Sequence, residues 1–194
     1  MKLIQETIDT KEIDQRFPLV EVNQDYIKFL KKTAPKNLGG AIDIATTIII
    51  ETKNHPISPF FINLKKDVEK TYEEMRTRKI ETKKALEKFL SYSQKIIEWK
   101  KEEEEIGKDK YPIYEAFNLV LPGIDKEYAV ETINVLIKRL KDKGFLFKGW
   151  QQQRDIRRKI RAEIRLLLLS RFKSHKDKID DLMEKIFESL ETTT

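Results

Sequence analysis

Residues 61–106 read FINLKKDVEKTYEEMRTRKIETKKALEKFLSYSQKIIEWKKEEEEI, and the fold turns on this stretch. Phe61, Leu64, Val68, Tyr72 and Met75 recur at spacings of three and four. A helix over residues 60–78 therefore carries them on one continuous apolar face. Leu86, Phe89, Leu90, Ile96 and Ile97 repeat the pattern over residues 82–106, with Trp99 a further candidate for burial and Thr82 the expected cap. Only Lys79-Ile80-Glu81 separates the two patterns, a link short enough to predict antiparallel neighbours. Upstream, Ser58 followed by Pro59 pairs an N-cap with a first-turn proline.

Working outward toward the N-terminus, Asn54-His55-Pro56-Ile57-Ser58-Pro59 is a turn. Ile42, Ala45 and Ile49 follow helical spacing across residues 41–53, and Pro35 can open that element. Its β-branched run Thr46-Thr47-Ile48-Ile49-Ile50 also suits a strand, but its length favours a buried helix. A short helix is expected over residues 25–32, with Tyr26, Phe29 and Leu30 on one side. Residues 1–23 lack sustained periodicity, hold the β-like stretch Phe17-Pro18-Leu19-Val20-Glu21-Val22, and read as a connecting arm.

Toward the C-terminus, Gly107 ends the second long helix and a short aromatic helix follows over residues 111–120. After the Leu121-Pro122-Gly123 turn, Asp125 caps residues 126–141, whose stripe is Tyr128, Ala129, Thr132, Ile133, Leu136 and Leu140. Gly144 and Gly149 bracket the apolar loop Phe145-Leu146-Phe147. A basic helix is expected over residues 150–172. A last amphipathic helix over 174–190 carries Ile179, Leu182, Ile186, Phe187 and Leu190. The expectation is an all-α protein: an irregular arm at 1–23, then a single multi-helix domain at 24–194 with two long antiparallel helices.

Composition narrows the chemistry. Lys and Arg number 39 against 33 Asp and Glu, a net charge of +6 that matters for partners only where it is concentrated. There are no cysteines, which excludes disulfides, thiolate metal sites and cysteine nucleophiles. His55 and His175 lie far apart in sequence. The first residues lack the apolar core of a signal peptide. The longest apolar runs, Ile48–Ile50 and Leu166–Leu169, fall far short of a membrane span, so a cytoplasmic protein with no membrane partner is expected.

No GxxxxGK[ST] loop and no GxGxxG turn occurs, and the double glycine Gly39-Gly40 has no strand before it. The E-x-K steps at Glu51-Thr52-Lys53 and Glu81-Thr82-Lys83 sit on no convincing strand and have no acidic partner upstream, as a nuclease would need. In the run Lys100-Lys101-Glu102-Glu103-Glu104-Glu105, successive side chains point around a helix and do not converge on an ion, so a solvated helix end is expected. No catalytic residue, metal site or cofactor site can be assembled.

The most informative segment for binding is residues 150–165, WQQQRDIRRKIRAEIR. At about 100° per residue, Arg154, Arg158, Arg161 and Arg165 fall in a narrow arc. Ile156, Ile160, Ile164 and Leu167 fall in another that would face the core, and Arg157 lies at the border. These five arginines are the candidate site. They can contact phosphates through bidentate guanidinium donors, pair with acids of a partner protein, or form a solvated face balanced by the domain's own glutamates. Trp150 is expected at the helix entrance as a packing anchor, its indole N–H satisfied at the surface.

Phe61-Ile62-Asn63-Leu64-Lys65-Lys66-Asp67-Val68-Glu69 runs on into Arg78-Lys79-Ile80-Glu81-Thr82-Lys83-Lys84-Ala85-Leu86. This L-x-x-x-V-E helix and R-x-I-x-T-x-x-A-L junction resemble the C-terminal helical region of the R (restriction) subunit of type I restriction–modification enzymes. The aromatic segment from Tyr111 to Phe117 and the Trp150-led basic helix fit the same order, so the resemblance covers roughly residues 25–170. It implies a parent subunit with a nuclease domain and two helicase-like domains that use ATP and magnesium to translocate DNA. This segment would hold no cofactor and no catalytic residue of its own, and the arm at 1–23 would lead from the motor. Its implied task is docking onto the methyltransferase core of modification and specificity subunits, with duplex DNA as a second candidate partner. The alternative is an independent basic helical DNA-binding module.

Overall fold

The Oγ of Ser58 accepts the backbone N–H of Phe61 at 3.4 Å, and Pro59 takes the first helical position, where its missing N–H costs nothing. The helix Pro59–Arg76 starts there. In the computed structural model, residues 38–56 and 58–193 are described, together with Val22, Asn23, Asp25 and Lys28. Among them are seven α-helices and no strand. In chain order they are α1 (Leu38–Lys53), α2 (Pro59–Arg76), α3 (Thr82–Ile106), α4 (Tyr111–Val120), α5 (Lys126–Asp142), α6 (Arg154–Arg171) and α7 (Ile179–Thr193). Short 3₁₀ turns stand at Trp150–Gln152 and Lys173–Lys178. The protein is all-α, as its periodicity predicts.

Most of the arm at 1–23 lies outside the described residues; of its β-like stretch only Val22 is described, and it is buried. Of the helix expected over 25–32, Asp25 and Lys28 are described, both helical and joined by an ion pair of 3.1 Å. Where the sequence pattern drew one helical domain from residue 24, contacts gather into two compact units, residues 1–101 and 102–194. The boundary falls inside α3, within its charged run, and no break in the helix marks it.

In the first unit α1 packs on α2. The run Thr46–Ile50 is helical, and α1 buries Ala41, Ile44, Ala45, Ile48 and Ile49. α2 buries Phe61, Leu64, Val68, Thr71 and Met75. Thr71 takes the place expected for Tyr72, and its Oγ1 meets the Tyr92 hydroxyl at 3.1 Å. Lys88 reaches Glu74 at 3.4 Å, and Phe61 meets Trp99 edge-on at 4.8 Å. The junction is closed by Arg78 at φ 57, with the N–H groups of Lys79 and Ile80 donating to the Glu74 carbonyl at 2.8 and 3.2 Å. Thr82 is not the cap of α3 but its first residue; the carbonyl before it, of Glu81, accepts the Ala85 N–H at 3.0 Å.

In the second unit α4 packs on α7, α5 on α4, and α6 on both α5 and α7. Asp125 caps α5 as expected, its Oδ1 accepting the Tyr128 N–H at 2.8 Å. Ala129, Thr132, Ile133, Leu136 and Leu140 are buried, but Tyr128 is 37% exposed. Its ring stands edge-on to Phe172 and its hydroxyl donates to the Arg171 carbonyl at 3.0 Å. The basic helix expected over 150–172 is broken. Gly149 at φ 87 opens the 3₁₀ turn, Gln153 is extended, and only then does α6 begin. Trp150 is the packing anchor expected at the helix entrance, but its indole does not reach the surface: the side chain is fully buried, edge-on to Phe187 of α7 at 5.8 Å. The last helix also starts late, at Ile179, after the turn Lys173–Lys178.

Candidate functional site

α6 turns Ile160, Ile164, Leu167 and Leu168 into the core, which leaves its arginines on the flank beside α7 and on the outward arc. α7 presents Asp180, Glu184 and Glu191 toward that flank. Arg165 Nε lies 3.0 Å from Asp180 Oδ1. Arg161 Nε donates to both carboxylate oxygens of Glu184, at 3.0 and 3.1 Å, and its guanidinium sits 3.6 Å from the centre of the Phe187 ring. Arg157 pairs with Glu191 at 2.8 Å on the same ring, at 5.5 Å. Three of the five candidate arginines thus form a ladder between α6 and α7, with cation–π contacts in its middle. For them, balance by the domain's own acids describes the geometry.

Arg154 and Arg158 behave differently. Both are exposed, and Arg158 has only the 3.8 Å contact with Asp155 on its own helix. Arg154 has no ion pair among the described residues. The arc they occupy also carries Lys159, Ala162, Leu166 and Leu169. Leu166 is 60% exposed and Leu169 38%. In the sequence, the run Leu166–Leu169 stood out only as too short for a membrane span. The signal was present nonetheless, because four consecutive leucines cannot share one face of a helix.

The charged end of α3 is more engaged than a solvated terminus. In the first unit Lys100 pairs at 2.7 Å with Glu51, which is buried. In the second, Glu102 accepts hydrogen bonds from the hydroxyls of Tyr111 at 3.0 Å and Tyr114 at 3.5 Å. Lys126 bridges Glu102 at 3.2 Å and Glu105 at 2.9 Å. Burial, reinforced by the Glu102 carboxylate, pushes the Tyr111 phenol far above its usual range. The hydrogen bond to Glu105 raises Lys126.

The histidines also have structural surroundings. His55 stacks on Phe61 at 4.3 Å and meets Trp99 edge-on at 4.8 Å. His175 Nδ1 lies 2.9 Å from its neighbour Ser174 on the exposed turn Lys173–Lys178. That turn borders an open cleft of about 320 Å³ lined by Gly123, Asp125, Tyr128, Arg171, His175 and Lys178 among others. Arg171 there is held by Glu131 at 2.8 Å and Thr132 at 3.3 Å. Among the described residues no group of three or more His, Asp or Glu could hold a metal ion, and no helix is long and apolar enough to cross a membrane. No family model, no curated protein and no solved structure matches this chain.

Proposed function

We propose that this chain is the C-terminal helical domain of a type I restriction endonuclease R subunit. In this reading it is a cytoplasmic assembly module that docks the ATP-dependent, DNA-translocating and DNA-cleaving subunit onto the core of modification and specificity subunits. The observation that carries the reading is that the residues of the resemblance build one structural unit. Leu64 and Val68 are the buried face of α2, Arg78 makes the left-handed turn, and Ala85 and Leu86 are the first buried residues of α3. The pattern therefore specifies a helical hairpin and not an isolated run of letters. Protein docking is favoured over DNA binding because three candidate arginines already have carboxylate partners. The arc left over is part leucine, which gains from an apolar surface and nothing from phosphate.

The test is assembly. The purified chain should co-elute with the modification–specificity complex of its own restriction system in size-exclusion chromatography. An R subunit lacking these residues should fail to join that complex; full assembly without them would overturn the proposal.

Duplex DNA is the second reading, and one observation favours it. Lys173 and Lys176 are exposed on the turn before α7 and make no ion pair among the described residues, adding cations beyond the arginine ladder. On this reading binding weakens with salt, and Lys173→Glu with Lys176→Glu lowers the slope of log K against log salt by roughly one for each phosphate that goes unneutralised. No binding to a duplex at low salt removes it.

A further inference from the structure

We infer that the outward arc of α6 is a docking surface for an acidic amphipathic helix of the partner protein. The inference deepens the docking proposal and rests on it for the partner's identity. Ala162, Leu166 and Leu169 stand at i, i+4 and i+7, the spacing of a seam into which a second helix packs its own side chains. All three are exposed, although α6 already buries Ile160, Ile164, Leu167 and Leu168 on its opposite side. A helix apolar on two sides is expected to be covered on two sides. Only one is covered by this unit.

The charge around the seam selects the occupant. Arg154 and Arg158 flank it on one side and Lys159 on the other, against the single carboxylate of Asp155 within the arc, while Arg165 on the same border is already paired with Asp180. Glu163, at the arc's edge, is engaged by Lys143 and does not offset them. Cations on both borders of an apolar seam match a helix with leucine-like residues on one face and Asp or Glu at its margins, as flanking charges choose partners in coiled coils. A basic helix would be repelled. A second copy of this chain would bring the same cations to the same seam. The ladder to Asp180, Glu184 and Glu191 fixes α6 against α7, so the surface is held in place before the partner arrives.

The experiment titrates the full chain with the modification–specificity complex and compares wild type with two double variants, Leu166→Asp/Leu169→Asp and Arg154→Glu/Arg158→Glu. All four positions are exposed, so helix content and melting temperature should hold, and circular dichroism checks that they do. The leucine variant is expected to bind at least about tenfold more weakly. The arginine variant should bind more weakly at low salt and converge on wild type as salt rises. Wild-type affinity in a folded leucine variant overturns the surface while leaving the docking proposal standing. Failure of the wild type itself to bind overturns both. A wild-type dimer that Leu166→Asp/Leu169→Asp disperses overturns the partner helix in favour of a second copy. A variant that loses duplex DNA and keeps the protein complex assigns the arc to nucleic acid and overturns the inference.

Discussion

Arg161 is held between two partners on α7, the Glu184 carboxylate and the Phe187 ring. In the sequence it belongs to an arginine stripe with several possible partners; in the fold its two hydrogen bonds go to Glu184. The partner comes from 23 residues away, so no local pattern could name it. Asp125 is the contrary case. Its role was legible because a cap acts within three residues, and the 2.8 Å bond to the Tyr128 N–H is the one the pattern predicts. Tyr128 is more exposed than its place in the apolar stripe predicts for the same reason that hid Glu184: what covers a side chain is decided by other helices. A double-mutant cycle with Arg161→Ala and Glu184→Ala tests the ladder. Ion pairs this exposed are worth little alone, and the neighbouring ring adds to this one, so a coupling of about 0.5–1.5 kcal/mol is expected in urea denaturation. A coupling of zero would mean the pair is incidental.

At the scale of elements, α2 and α3 were the most legible parts, since an apolar repeat of three and four over several turns has one helical solution. Their boundaries moved by only a few residues. The basic helix was less legible, because Trp150-Gln151-Gln152-Gln153 contains no proline to announce the break. The interruption follows from Gly149 in the left-handed region and from Trp150 being drawn into the core, and only the second unit's packing reveals that. The five arginines were legible as a cluster on this helix, but their surroundings were not: the acids that pair with Arg157, Arg161 and Arg165 come from α7, and Leu166 and Leu169 share the outward arc with Arg154 and Arg158. Asp125 gives the element-scale prediction. Asp125→Ala should lower the stability of the protein by about 1 kcal/mol through loss of the α5 cap, and Asp125→Asn should retain most of it. Thermal melting of both variants checks this, and an equal loss in the two would point to charge instead of capping.

Across the whole molecule, positive charge and helical content were readable from composition, but the division into two units was not, because it falls within α3. The charged end of that helix was misjudged for a related reason: its acids find partners in residues that sequence cannot bring near, among them Tyr111 and Lys126. The consequence is a pH dependence on the alkaline side. Tyr111 ordinarily titrates near 10.0, and in the folded protein burial and Glu102 hold its proton well beyond that. Lys126, hydrogen-bonded to Glu105, and Lys185, hydrogen-bonded to Glu188, are likewise raised above 10.5. A raised folded pKa means that the folded state binds more protons than the unfolded one above the unfolded value. Stability from these groups is therefore complete below about pH 10 and declines as pH rises further, by up to about 1.4 kcal/mol per pH unit for the Tyr111 proton and by much less for the two lysines, whose exposed pairs are screened by solvent. Denaturant unfolding measured from pH 8 to 11 should show this fall. Tyr111→Phe should start about 1 kcal/mol lower at pH 8, having lost the bond to Glu102, and then fall less steeply. Parallel curves for the variant and the wild type would show that the phenol ionises as freely in the fold as in the unfolded chain, and that Glu102 does not hold its proton.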